Sequence, residues 1–354
     1  MQSLPDYIRP APFAENTRAT DNPSDGANLL LLRQRTLSSY ALPARLLLAA
    51  LRLNGDTREM SDLDRCLLDS IGRILDSSSN RQQTIAAVNQ FSSIALTRTR
   101  SPLKIPSPGS VELSDDEQLL IDAASRQLQG HHSAAVSRLQ WLMDPETSRH
   151  FLQSIDIIAD ADCFRQHGMY ALAPCPVRLG SQDDEKGIRH NSVLQCADLS
   201  LEERLLVNVT RVWVKCISLR ISSLSAVHRL SSCLGLSGLD TTMHDILHRT
   251  AYHATRQFDV RCLCCEEVSP DEARLLATLA AVGHGLPGES VEHLNHWLPP
   301  TSVQSVLAKV SGNRKNIFQH DFSLPSRQWD FAGLAQRQIL FDQDRTQQAE
   351  HNVH

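Results

Sequence analysis

Aromatic side chains are scarce, at 5% of 354 residues, and glycine occupies only 15 positions. None of those glycines builds a P-loop or follows a strand in a Gly-x-Gly-x-x-Gly pattern, so no backbone cradle for a nucleotide phosphate has a candidate. Gly235-Leu236-Ser237-Gly238 brings its second glycine one residue too early for a nucleophile elbow. Catalytic residues and an organic cofactor are therefore not expected. Long hydrophobic runs are missing too. The longest apolar stretches, near Leu29–Leu32 and Leu46–Leu51, fall far short of the ~20 residues that span a bilayer. Positive charge is not in excess: 35 Lys and Arg face 40 Asp and Glu, a net charge of -5, which does not suit wholesale neutralisation of a phosphate backbone. The first 28 residues are polar, with Pro5, Pro10, Pro12 and Pro23, and lack the apolar segment of a cleaved signal. The expectation is a cytoplasmic protein with reduced thiols. An uncleaved secretion signal in the same polar stretch is the alternative.

What the chain does contain is an echo of itself. Ser61-Asp62-Leu63-Asp64-Arg65-Cys66-Leu67 returns as Ser200-Leu201-Glu202-Glu203-Arg204-Leu205-Leu206, a shift of 139 (200 minus 61). Ala87–Ser93 returns at the same shift as Ala226–Ser232. Ser114-Asp115-Asp116-Glu117 returns as Ser269-Pro270-Asp271-Glu272, and Trp141-Leu142 as Trp297-Leu298, at shifts of 155 and 156. Internal repetition bears on architecture before any single residue does.

Four Ser-x-x-acid signals open leucine-rich periodic runs: Ser61 with Asp64, Ser114 with Glu117, Ser200 with Glu203, and Ser269 with Glu272. In such a capping box each side chain satisfies an amide that the first helical turn leaves unpaired. Pro270 sits at the first helical position, where a missing N–H is harmless. Further helices are expected over His150 to Ile158, Thr242 to Gln257 and Val303 to Val310, with Pro145 and Pro299-Pro300 as breaks. Arg98 to Gly109 reads as a Pro- and Ser-rich linker with a small basic strip, Arg98, Arg100 and Lys104.

These signals predict an all-α protein of two tandem, divergent copies of a multi-helix domain, with orthogonal or solenoid-like packing. The expected divisions are a polar tail over 1–28, copy 1 over 29–160, a connector over 161–195, copy 2 over 196–315 and a C-terminal segment over 316–354. Copy 2 is expected to carry a His- and Cys-rich insertion at 238–267. Trp141 and Trp297 are expected to seal the core of each copy.

One cluster has the residue types of a metal site. His244 and His248 stand at i and i+4 on one helix face, and Cys262, Cys264 and Cys265 follow shortly after. Imidazole and thiolate are the ligands zinc prefers. Asp245 stands where a zinc protease carries Glu, and its shorter side chain reaches a metal-bound water poorly. His293 and His296 are expected on the solvated flank of a helix. An apolar patch, Trp329–Leu334, is expected either to dock on the body of the protein or to meet a partner.

The leading functional expectation is a non-enzymatic helical interaction or regulatory protein acting through protein–protein contacts. The alternative is a zinc sensor or metal-dependent enzyme using His244, His248 and Cys262, Cys264 and Cys265. A DNA-binding regulator is the third reading, weakened by the acidic starts of the helices at Ser114 and Ser269. Self-association through apolar helix faces is open.

Overall fold

The computed structural model describes residues 36–55, 62–78, 80–167, 172, 193–236, 238–318, 322–336 and 339. The expected tail over 1–28, the Ser61 cap and most of the connector lie outside these residues. Among them the architecture is helical throughout, with no strand and only two isolated bridges, Thr36 with Glu112 and Gln195 with Glu267. No helix among the described residues is long and apolar enough to cross a membrane.

A 3-10 turn, Leu37–Ser39, leads into α1 (Leu42–Gly55), α2 (Asp62–Leu75), α3 (Arg81–Thr97), α4 (Asp115–Leu128), α5 (His132–Leu139), α6 (Pro145–Ala159) and the short α7 (Asp162–His167). A second 3-10 turn, Cys196–Asp198, leads into α8 (Leu201–Ser218), α9 (Ser223–Cys233), α10 (Leu239–His253), α11 (Pro270–His284), α12 (Pro287–Leu294) and α13 (Pro300–Ile317). The starts of α4, α8 and α11 carry complete capping boxes from Ser114/Glu117, Ser200/Glu203 and Ser269/Glu272. The prolines expected as breaks stand where one helix has ended and the next opens. Pro145 and Pro300 occupy first-turn positions of α6 and α13, where no intrahelical N–H is needed. Both helices are consequently longer than their apolar spacing suggested.

The same contacts recur along the two runs of helices. Arg52 on α1 is fully buried and grips the Glu117 carboxylate with two N–H groups at 2.7 and 3.0 Å, while also donating to the carbonyls of Ser110 and Glu112. Arg211 on α8 does the same with Glu272, at 2.8 and 2.9 Å, and with the carbonyls of Cys265 and Glu267. A buried guanidinium is tolerable only when most of its donors are used, and both are held in this way. Leu37 N–H donates to Val111 O and Cys196 N–H to Glu266 O; Arg100 N–H donates to Leu142 O and Thr255 N–H to Trp297 O. Lys104 N–H reaches the Asp116 carboxylate, and Asp259 N–H that of Asp271.

These contacts imply a register different from the sequence echo at 139. They pair residues at a shift of 159 (211 minus 52) before α10 and of 155 (272 minus 117) after it. In this order α10 stands opposite α3. The tryptophan pairing also slips by one. Leu142 and Trp297 both give their carbonyls to the preceding loop, so Leu142, not Trp141, takes the place of Trp297. Trp297 is fully buried, with its indole N–H on the Asp271 carboxylate at 3.0 Å; Trp141 is 77% exposed. One residue of slip turns a side chain by roughly 100° on a helical turn, enough to carry it from core to solvent.

The two runs of helices share one continuous apolar core. Between them, α2 packs on α8 and α1 on α9. Arg45 on α1 donates to Leu234 O at the end of α9, with Nε at 2.7 Å and Nη2 also in contact. Arg204 on α8 donates to Ile74 O at the end of α2 and pairs with Asp162 at 2.9 Å. Each guanidinium thus satisfies carbonyls that the other run's helix leaves unpaired at its C-terminus. Arg229 and Asp64 add an ion pair at 2.7 Å between α9 and α2.

Candidate functional site

The segment between α10 and α11 holds the thiols. It is pinned from beneath by Arg211, whose Nη1 and Nη2 take the carbonyls of Cys265 and Glu267 at 2.7 and 2.6 Å. Cys265 N–H closes a turn onto Cys262 O at 3.0 Å. This brings the sulfurs of Cys262, Cys264 and Cys265 within 4.8 Å of one another, close enough to share a metal ion. Cys262 and Cys264 are exposed and Cys265 is half-buried. Sγ of Cys262 and Sγ of Cys265 are 2.6 Å apart. Burial pushes the Cys265 thiol up to about 11, with its hydrogen bond to Cys262 adding to the effect. Burial also acts to raise Cys262, but hydrogen bonds from the side chains and backbone of Cys264 and Cys265 outweigh it and leave that thiol below its ordinary value.

The two histidines expected beside these thiols are elsewhere. His244 and His248 do share a face of α10, with ring centroids 5.5 Å apart, but His248 stacks on Tyr252 at 4.4 Å. Nδ1 of His244 accepts the indole N–H of Trp213 at 3.1 Å. Burial, helped by His248, holds the His244 imidazole below its usual value and favours the neutral ring that this bond requires. Neither imidazole joins the group of three thiols. The i,i+4 spacing put the rings side by side, as expected, but could not show that the face met α8 and not the loop.

Leu263, between the thiols, turns the other way. It lines a small apolar notch with Leu63 and Cys66 of α2, Val212, Lys215 and Cys216 of α8, and Leu219 and Ile221 of the turn before α9. Along residues 214–224, which include part of the notch lining, apolar side chains face solvent: Val214, Ile217, Leu219, Ile221 and Leu224 are each 36–53% exposed. Burial raises the thiols that line the notch, Cys66 and Cys216, the latter to about 11. Sequence reading missed both notch and exposed stretch: the notch joins residues as far apart in the chain as Leu63 and Leu263, and the exposed apolar residues are interleaved with the polar Lys215, Ser218 and Arg220.

The remaining candidates are internal contacts. His293 is half-buried against Phe331, ring centroids 5.4 Å apart, and the Arg274 guanidinium lies 4.1 Å over the same ring. Burial and the nearby Arg274 lower the His293 and His296 imidazoles. Trp329 stacks on Phe331 at 6.0 Å and Leu334 is buried, so this C-terminal patch packs on the protein's own body. Arg327 fastens the segment just before it, with two bonds to Glu203 at 2.8 Å.

No family model matches the chain, nor does any curated protein or solved structure.

Proposed function

We propose that this chain is a non-enzymatic helical protein that works by contact with a protein partner, and that the partner lies on the apolar ridge of α8 and α9. The observation that carries the reading is the clustering of exposed apolar side chains. Val214, Ile217, Leu219, Ile221 and Leu224 fall within one short stretch, 214–224, while Val111, Trp141, Tyr252, Leu286 and Ile339 are exposed at places scattered along the chain. Single exposed apolar residues are ordinary, whereas a contiguous set marks an interaction face. The notch beside it offers a recess for an anchoring side chain.

A photo-crosslinking residue placed at Ile217 tests this in the native host. The expected outcome is one discrete adduct, absent when the probe is moved to Trp141 and lost on Leu219→Asp. No adduct at Ile217, or equal labelling at both positions, overturns the reading. Sedimentation of the purified chain shows whether the partner is a second copy.

The two runs of helices are, in this reading, divergent copies of one unit. The paired Arg–Glu grips and the matched backbone bonds support it. The reciprocal packing of α2 on α8 and α1 on α9 supports two copies facing each other about an approximate two-fold, as in a dimer fused into one chain.

A further inference from the structure

We propose that Cys262 and Cys265 form a reversible dithiol–disulfide couple, in which Cys262 attacks a small-molecule disulfide and Cys265 resolves the adduct.

The placement of the pair carries this. The two residues are i and i+3 across a closed turn, with Cys265 N–H on Cys262 O at 3.0 Å and the sulfurs 2.6 Å apart. A tetrahedral zinc holds two thiolates about 3.8 Å apart, given Zn–S bonds of about 2.3 Å. The observed pair is closer than two ligands of one metal would stand. The turn is also anchored, since Arg211 holds the Cys265 carbonyl, so the backbone keeps the two side chains within reach of each other.

The first run of helices supplies the control. Its corresponding turn is Ser107-Pro108-Gly109-Ser110, with Ser110 N–H on Ser107 O at 2.9 Å and Arg52 on the Ser110 carbonyl. The same backbone is therefore built with hydroxyls, and the fold does not require sulfur here. Nor does packing require it at Cys262, which is exposed like Cys264, while Cys265 is half-buried and Cys163, Cys196, Cys216 and Cys233 are buried.

The order of attack follows from exposure. The Cys262 thiol loses its proton to solvent, and the thiolate attacks one sulfur of the small disulfide. A mixed disulfide forms, and the first small thiolate leaves and takes up a proton. Sγ of the half-buried Cys265 then attacks Sγ of Cys262, giving its proton to solvent, and the second small thiolate is expelled and protonated. The protein loses two hydrogens and the small disulfide is reduced to two thiols.

The test uses the full chain, reduced and desalted into chelator, then exposed to oxidised glutathione, acid-quenched, alkylated and mapped by peptide mass. The expected product is a Cys262–Cys265 disulfide without retained glutathione, reversed by dithiothreitol. Cys265→Ser should trap glutathione on Cys262. Cys262→Ser should slow the reaction by about tenfold or more, as the accessible attacking thiol is gone. Cys264→Ser should leave the product unchanged. Serine at either position is expected to fold, because the first run has serine at both. A stable mixed disulfide in the unmodified chain, a bridge made through Cys264, or a metal ion that survives the chelator and shields all three thiols would each overturn the proposal.

Discussion

Arg211 and Glu272 are 1% exposed at their side chains, so each depends on the other for its charge to be tolerated. Burial works against the Arg211 cation, and the Glu272 carboxylate reverses the balance and raises its affinity for the proton. Removing one member of such a pair costs about 3–5 kcal/mol, because the survivor is left charged and dry. Arg211→Met should therefore destabilise the chain by that amount in a denaturant titration. In many proteins, replacing both partners by apolar residues restores the loss. Here it should not. Arg211 also holds the carbonyls of Cys265 and Glu267, and Glu272 holds the Ser269 amide; the double variant Arg211→Met with Glu272→Leu strands all three. Full recovery in the double variant would show that the pair acts as an isolated ion pair and not as the anchor of the thiol turn. The sequence carries a partial sign of this. A single arginine in Leu46–Leu53, otherwise apolar, and another in Leu205–Val214 are buried candidates by position, but their partners lie 65 and 61 residues away and no local pattern points to them.

Helices α2 and α3 meet at Gly72. A Cβ built there would stand 2.8 Å from the Cα of Ile85 and 2.6 Å from its Cγ1. Alanine in place of glycine inside a helix normally stabilises by about 0.5–1 kcal/mol. Gly72→Ala should reverse that sign and destabilise by about 1–3 kcal/mol, since the obstruction includes backbone and the helices must part. Thermal unfolding settles the sign, and a raised Tm would mean that the two helices do not approach this closely. The elements themselves were well foreshadowed. Capping boxes are written within four residues, so the starts of α4, α8 and α11 were legible. The helix over 242–257 was also foreseen, and is found at Leu239–His253. The register between the halves was not legible, because Leu-, Ala- and Ser-rich amphipathic helices resemble one another at many offsets. Hydrogen bonds across loops distinguish the offsets, and those become visible only in three dimensions. Cys262 and Cys265 are joined by one turn, whereas the partner of His244 is Trp213, on another helix.

At the scale of the whole molecule, the two runs of helices complete each other. Each supplies a guanidinium, Arg45 or Arg204, to the helix end of the other, and their buried apolar side chains belong to one cluster. Arg81 and Glu266 add a further link at 3.0 Å, between α3 and the thiol segment. A chain split between 173 and 192 should therefore behave as one folded body in two pieces. Fragments 1–172 and 193–354, expressed together, should copurify and unfold in a single cooperative transition. Expressed alone, each would expose the apolar faces of α1 and α2, or of α8 and α9, and would lose the bond that Arg45 or Arg204 makes to the other run. Neither penalty is small beside a net stability of about 5–15 kcal/mol, so each fragment alone should lack a cooperative transition or recruit a second copy of itself. Self-pairing of one fragment is the more telling result. If α8 and α9 of one copy can take the places of α1 and α2 against another, the proposed two-fold reflects a real dimer surface, and the two-copy origin gains direct support. Two fragments that each fold as stable monomers and do not associate would remove it, since the shared core and the exchanged arginines would then be incidental to folding.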